Sequence, residues 1–462
     1  MLRSALAVLL LAIPLYPKFP LVSVSNTYVA IRLDDILVVL SLVLLLINQF
    51  KNRFSLLKFP VTKVFIAYFI AITISFLNAY LIFQTEPTNI LLLHLFRRFE
   101  YISLFFLTVA TIKTKQDFRS FFLFAILASI GVIAYGYGQR YFQLPVVSTM
   151  NEEFSKGQLL QMNVWTRISS TFAGHYDLAA YASVFLVVLG SILALIKNKF
   201  IKIFLSVNWL LLFHILTLTA SRVSIFAFIG GMVLSLILIK KYIYIIPVFL
   251  IFAFSLINSK DLNQRLLATI PALKNQFISS PTSAPPQPSA IPTIIPTSVP
   301  STITQAPIAV VKTTPIPTPI RHASEFEQLP IDADAGVARS GEIRFNAEWP
   351  RAITAFNKNR LNGTGLGSIT LATDNDYLRS LGESGLLGLT TFLAIFLYFF
   401  VKTIPYIFSK QKIPLIFFAS MVTMLANATL IDVFEASKTA YLFWIMMGFY
   451  YQSFYLFPTT KK

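Results

Sequence analysis

Arg98, Arg167, Arg222, Arg344 and Arg351 share one feature: each stands near the edge of a long apolar block or in a segment between two such blocks. A guanidinium is charged at any relevant pH and grips phosphate oxygens two at a time. Several of them at one depth suit a diphosphate whose hydrocarbon tail lies in a membrane, and would suit another anion as well. Carboxylates and a histidine accompany them. RISSTFAGHYDLAAY carries Arg167, His175 and Asp177, and ATDNDYLRSLGESGLLG carries Asp374, Asp376, Arg379 and Glu383 directly before the apolar run Leu386 to Val401. Asp374 is able to accept a hydroxyl proton, although a reference pKa near ~4 makes it a weak base unless burial raises it. Plainer roles compete at every position. An Asp or Asn before a helix caps it, a lone loop histidine is solvated, and Arg222 is able to anchor a helix by snorkelling. In HLFRRFEY, His94, Arg97, Arg98 and Tyr101 lie on one broad helix face, and Glu100 can pair with Arg97. Such a pair can be purely structural.

The elements that must position these groups are set by composition. The chain has 462 residues, of which 56% are hydrophobic and 13% charged, with a mean hydropathy of +0.69. A soluble domain would carry about a quarter charged residues, so the expected class is an all-α polytopic membrane protein. Apolar blocks give about twelve spans, near 3–16, 34–49, 61–83, 90–111, 118–138, 177–196, 201–219, 223–239, 242–258, 384–402, 413–431 and 438–457. The first contains Pro14 and could instead be a signal peptide; it is kept here as a tilted span. Every second short loop is basic (Lys51, Arg53 and Lys58; Lys113, Lys115 and Arg119; Lys197, Lys199 and Lys202; Lys240 and Lys241; Lys402, Lys410 and Lys412), and Lys461 with Lys462 end the chain. Basic loops stay inside. This accounts for the net charge of +18 without nucleic acid, and it places both termini in the cytoplasm and the segments 139–176 and 259–383 outside the cytoplasmic (inner) membrane. The chain thus divides into nine spans over 1–258, an outer loop over 259–383 between spans nine and ten, and three spans over 384–462.

Within the outer loop, Ser259 to Phe277 has the spacing of an amphipathic helix. Ser279 to Ile320 is Pro-, Ser- and Thr-rich, holds eleven of the 24 prolines and one charge, Lys312, and reads as an extended tether. Gly341 to Asn357 reads as helix, with Arg344, Glu348 and Arg351 on one face and Pro350 kinking it or starting its second half. NGTGLGS, Asn362 to Ser368, is a glycine-rich turn; simple turn chemistry is the stronger reading and a phosphate cradle the weaker. There is no cysteine, and the four histidines show no metal-ligand spacing. With no Walker loop or dinucleotide fingerprint either, no cofactor or metal is expected.

Taken in order and spacing, RISSTFAGHYDLAAY, the TASR element ending at Arg222, RFNAEW from Arg344 to Trp349, and NGTGLG followed by DNDYLRSLGESGLLG resemble the O-antigen ligase and O-antigen polymerase family of membrane glycan transferases, over nearly the whole chain. The resemblance implies transfer of a glycan from an undecaprenyl-diphosphate carrier to an acceptor hydroxyl outside the cytoplasmic membrane. The acceptor is a lipid-linked core sugar, another repeat unit or a protein hydroxyl, and neither nucleotide nor metal is required. Arg222 and Arg344 match arginines that would hold the diphosphate, with Arg167 a weaker match. Ligases carry a histidine where this chain has Asp374, which would then be the base; His175 and Asp177 are substitutes. Arg98, Arg351 and Glu383 are further substrate-binding candidates. Asp374 and Arg379 are expected to face an outer cavity, with the charges of the stretch there to meet the charged head of the substrate. Two rival classes are a twelve-span transporter or flippase for an anionic lipid-linked glycan, which would show related halves and midplane polar sites, and a surface scaffold displaying the tether.

Overall fold

The computed structural model describes residues 1–23, 30–84, 87–147, 159–160, 167–258, 343–369 and 373–459. The expected amphipathic helix at 259–277, the tether at 279–320 and the terminal lysines lie outside them. The described chain is all-α with thirteen helices. They are α1 (Leu2–Leu15), α2 (Leu33–Lys51), α3 (Pro60–Asn78), α4 (Thr88–Thr111), α5 (Lys115–Phe142), α6 (His175–Leu195), α7 (Lys199–Leu218), α8 (Arg222–Leu238), α9 (Ile245–Asn258), α10 (Trp349–Lys358), α11 (Asp376–Ile407), α12 (Ile413–Asn427) and α13 (Ser437–Leu456). The strands form two antiparallel ribbons, Pro20–Ser23 with Ala30–Arg32 and Val146–Val147 with Leu159–Leu160. Six helices are long and apolar enough to cross a membrane: α2, α3 with its extension to Phe83, α5, α6, α7 and α11. Four more are apolar but shorter: α1, α8, the segment Tyr242–Ile257 and α12.

Two packed cores organise the bundle. One joins α1 to α4 with α11 and α13 through Phe65, Phe105, Phe399, Trp444 and Tyr451; the other joins α5 to α9 with α12 through Trp209, Phe213, Phe228 and Leu415. Apolar surface gives little drive for association inside lipid, so close packing and interhelical hydrogen bonds hold such helices together. The bonds are present: Ser191 to Ser235 at 2.6 Å, Asn427 to Ser183 at 3.0 Å, Ser129 to Asn208 at 3.2 Å, and Gln452 to the Val109 carbonyl at 2.7 Å. The first apolar block is part of this bundle. Leu6, Leu9 and Ile13 of α1 are buried, and the Thr171 hydroxyl donates to the carbonyl of Pro14 at 2.5 Å.

The two ends of the bundle treat their basic residues differently. At one end Lys51, Arg53, Lys58, Lys197, Lys199, Lys240, Lys241, Lys402 and Lys410 are exposed. At the other Lys18, Arg32, Arg344, Arg379 and Lys438 are buried. Exposed lysines need only water and headgroups, whereas each buried cation needs an assigned partner. The second end is therefore where structure is spent on charge.

One element differs from its expected form. The tenth apolar helix was expected from residue 384, but α11 begins at Asp376 and is broken at Gly385 (φ 66°, ψ −166°). The stretch expected as a loop before the span is a short helix set against it.

Candidate functional site

The break in α11 explains the glycine-rich turn. Interrupting a helix leaves backbone groups unpaired, and irregular backbone near membrane depth survives only where protein re-satisfies it. The 360–365 segment does this. Thr364 N–H and Gly365 N–H donate to the carbonyls of Gly382 and Glu383 at 3.0 and 2.9 Å, and Leu386 N–H and Leu387 N–H donate to those of Arg360 and Leu361 at 2.9 and 3.0 Å. Ser75 adds a bond to the Glu383 carbonyl at 2.7 Å, and Asn78 one to that of Gly363 at 2.9 Å. The approach is too close for side chains. A Cβ on Gly363 would lie 2.3 Å from the Glu383 carbonyl oxygen, and one on Gly385 would lie 2.3 Å from that of Leu361. These amides are aimed at a helix break, so this turn is not a phosphate cradle.

The charges of the short helix Asp376–Ser384 are directed inward. Arg379 donates to the Ile369 carbonyl at 3.1 Å, Glu383 at 3.3 Å and Asp432 at 3.0 Å. Arg98 of α4 pairs with Glu435 and lies 3.7 Å from Glu383. Asp376 accepts from the amides of Val433 and Phe434 at 2.8 and 3.2 Å. Asp432 accepts from those of Thr373 and Asn375 at 2.9 and 3.3 Å. Arg379 is 7% exposed and does not line the small pocket that Glu383, 1% exposed, lines with Tyr68, Arg98 and Asp376. The acids and the arginine crowd here because they fasten α4, α11 and the 428–435 segment to one another. This corrects the expectation that Arg379 would face a cavity. Asp432 and Glu435 were not singled out from sequence; nothing within their own segment signals a partner more than fifty residues away.

A second group forms beside this lock. Asn375 takes the cap of α11, its side-chain oxygen accepting from Tyr377 and Leu378 amides at 3.1 and 3.0 Å. Asp374, in left-handed conformation (φ 48°), is released from capping. Its Oδ2 accepts from Nε and Nη2 of Arg344 at 3.0 and 2.7 Å. Arg344 opens a π-helical turn, Arg344–Glu348, ahead of α10, whose first turn contains Pro350. The Arg344 guanidinium also donates to the Tyr176 hydroxyl, and Tyr176, Arg344 and Arg167 all lie within electrostatic reach of Arg222, the first residue of α8. Arg167 donates to His175 Nε2 at 2.7 Å. Arginine has no acceptor, so that nitrogen supplies its lone pair and the imidazole proton sits on Nδ1. Arg167, His175, Arg222, Arg344 and Asp374, which are up to 207 residues apart in sequence (374 − 167), thus converge, with Tyr176 as the shared neighbour that sequence reading missed. Glu348 feels Asp374, Arg344, Asp432 and Arg351, which brings Arg351 to the edge of the group. Burial pushes the Asp374 carboxyl above its ordinary range, with Asp432 adding to the effect and Arg344 opposing it.

Three of the sequence candidates lie elsewhere. Arg98 and Glu383 belong to the lock. Asp177, two residues from His175, turns to a third group, where Lys18, Lys438 and Arg32 lie within reach. There the Lys438 ammonium donates to the carbonyls of Thr171, at 2.7 Å, and Tyr16. The Tyr441 hydroxyl meets Glu100 at 2.7 Å and Asp35 at 3.1 Å. His94 packs against Gly367, where a Cβ would lie 2.5 Å from its ring. Among the described residues no group of three or more His, Asp or Glu side chains could hold a metal ion.

An all-α bundle with membrane-length apolar helices and a partly buried arginine cluster at one end is the class that fold and site define. No known family model matches the chain, and no curated protein matches it closely enough to name a relative.

Proposed function

We propose that this protein transfers a glycan from an undecaprenyl-diphosphate carrier to an acceptor hydroxyl at the outer face of the cytoplasmic membrane, as an O-antigen ligase- or polymerase-like enzyme of cell-envelope polysaccharide biosynthesis. One observation carries the reading: Arg167, Arg222 and Arg344, brought from three segments, share one site in spite of their mutual repulsion. Like charges held together in a partly buried place cost free energy unless a ligand of opposite charge compensates. Asp374 pairs with Arg344, and three guanidinium groups gathered at one place suit an anion with more than one charge, such as a diphosphate.

In this reading the acceptor oxygen attacks the anomeric carbon from the face opposite the phosphate. The new carbon–oxygen bond forms as the anomeric carbon–oxygen bond to phosphate breaks, and its electron pair leaves with undecaprenyl diphosphate. Arg222 and Arg344 stabilise the charge growing on that leaving group, the kind of electrostatic contribution that dominates much of catalysis. A base takes the acceptor proton. The carrier's hydrocarbon tail requires an apolar path. A small apolar cavity of about 90 Å³ lies between α1, α5, α6, α12 and α13, lined by Pro14, Ala180, Tyr181, Val184, Met424 and Phe449, with room for only a short part of that tail. Ala180 is one helical turn below Tyr176, a rise of about 6 Å.

The break in α11 favours the transporter reading, because discontinuous helices build ion and substrate sites in transporters. Here the freed backbone groups named above are hydrogen-bonded by the 360–365 segment, which supports the enzyme. The deciding experiment uses purified protein in detergent with a synthetic undecaprenyl-diphosphate disaccharide, lipid A-core or a second donor molecule as acceptor, and neither nucleotide nor metal. Wild type should release undecaprenyl diphosphate as the glycan is transferred. Arg222→Ala and Arg344→Ala should each lose about 10²–10³-fold in rate. Movement of labelled donor across proteoliposomes without covalent transfer would establish the transporter instead.

A further inference from the structure

Asp374 is poorly placed to move a proton, since one of its carboxylate oxygens is already held by two N–H groups of Arg344. A second carboxylate stands beside it. Glu348 is four residues from Arg344 in the same π-helical turn. In that geometry, of about 4.4 residues per turn, the two side chains leave the turn on nearly the same side; such π turns are rare and frequent at functional sites. Among the described residues the buried Oε2 atom of Glu348 has no hydrogen-bond partner. The indole N–H of Trp349, the next residue, and the hydroxyl of Thr373, which precedes Asp374, are also buried and unpartnered among those residues. Buried polar atoms are nearly always satisfied, and leaving one unpaired costs about 1–3 kcal/mol. An unpaired carboxylate oxygen beside Arg344 and Asp374 marks a place where a hydroxyl of a bound molecule completes the hydrogen bonding.

We infer that Glu348, rather than Asp374, takes the proton from the acceptor hydroxyl, and that Asp374 positions Arg344. The inference rests on the transferase reading. The proton leaves the acceptor oxygen for Glu348 Oε2 as that oxygen bonds to the anomeric carbon, and the carrier departs as its diphosphate. The charged groups facing Glu348 are Asp374 and Asp432, which oppose its ionisation, and Arg344 and Arg351, which favour it. Burial adds most, and the carboxyl is pushed up to about 7. That is close to the value at which a general base is both ionised and strong at neutral pH.

The test is the pH profile of kcat/KM for the synthetic undecaprenyl-diphosphate disaccharide, in wild type, Glu348→Gln, Glu348→Asp and Asp374→Asn. Wild type should rise with pH to a plateau above about 7, since the base must be ionised. Glu348→Gln should lose about 10²–10⁴-fold and with it the acidic limb, and Glu348→Asp should recover part of the rate and the limb. Asp374→Asn removes a negative charge next to Glu348, so its limb should survive and move to lower pH, with KM for the donor raised because Arg344 is no longer held. The inference is overturned if Glu348→Gln keeps the limb while Asp374→Asn abolishes it, which would make Asp374 the base. A wild type that releases no undecaprenyl diphosphate at any pH overturns the transferase reading itself, and this inference with it.

Discussion

Substituting Gly363 by alanine probes the joint on which the end of the bundle with the buried cations depends. Gly363 has φ +70°, and its added Cβ would lie 2.3 and 2.4 Å from the carbonyl oxygen and carbon of Glu383. The left-handed conformation alone costs an alanine about 1–2 kcal/mol. The clash is with backbone, so no side chain can turn aside and the 360–365 segment must back out of the break. Four hydrogen bonds tie it there. Losing one of them strands a buried donor or acceptor at about 1–3 kcal/mol. The sum is a destabilisation of about 2–5 kcal/mol even if three bonds re-form. The control is Gly230→Ala in α8, where an added Cβ meets nothing within 4 Å and helix propensity should give back about 0.5–1 kcal/mol. Thermal unfolding in detergent, followed by circular dichroism and tryptophan emission, should rank Gly230→Ala at or above wild type and Gly363→Ala well below. If the two variants melt together, the segment does not hold the break, and the account of the glycine-rich turn is wrong.

Three further outcomes are expected. Arg379→Leu strands Glu383 and Asp432 and should destabilise the protein by about 3–5 kcal/mol. Arg379→Lys should restore little of this, because one ammonium does not reach three acceptors set around a planar fork; equal melting of Arg379→Lys and wild type would contradict the lock. Glu348→Gln should trade activity for stability. The folded carboxyl is raised from 4.5 to about 7, so holding it ionised weakens the fold above pH 7, and this penalty fades as pH falls from 7 to 4.5 and is gone below it. The variant should therefore melt above wild type at pH 8, with the gap closing by pH 4.5; a gap that is absent or grows on acidification would refute the raised carboxyl. Deleting residues 279–320 should leave transfer of the disaccharide largely intact, as expected of a tether and not of a scaffold, whose activity would disappear.

The sequence by itself determined the class of protein and the identity of the ingredients. Apolar blocks long enough to span lipid can be read locally, because each helix satisfies its own backbone and needs no partner to be recognised. The same holds for the basic loops, and for the arginines, whose cost near lipid marks them whatever surrounds them. Arg167, Arg222, Arg344 and Asp374 were legible for that reason. What these groups do to one another was decided by tertiary structure. Asp374 and Asn375 are adjacent and both suit a helix cap; only the approach of Arg344 assigns the cap to one and the ion pair to the other. Glu383 and Arg98 look like substrate ligands until Arg379 and Glu435 are brought against them. His175 and Asp177 are two residues apart, yet they serve different charge groups, because neighbouring positions on a helix point about 100° apart per residue. Gly363 and Gly385 read as turn and hinge separately, and their purpose appears only where the turn fills the break. Pairing energies depend on distance between residues far apart in the chain, and that distance is not written in any local stretch.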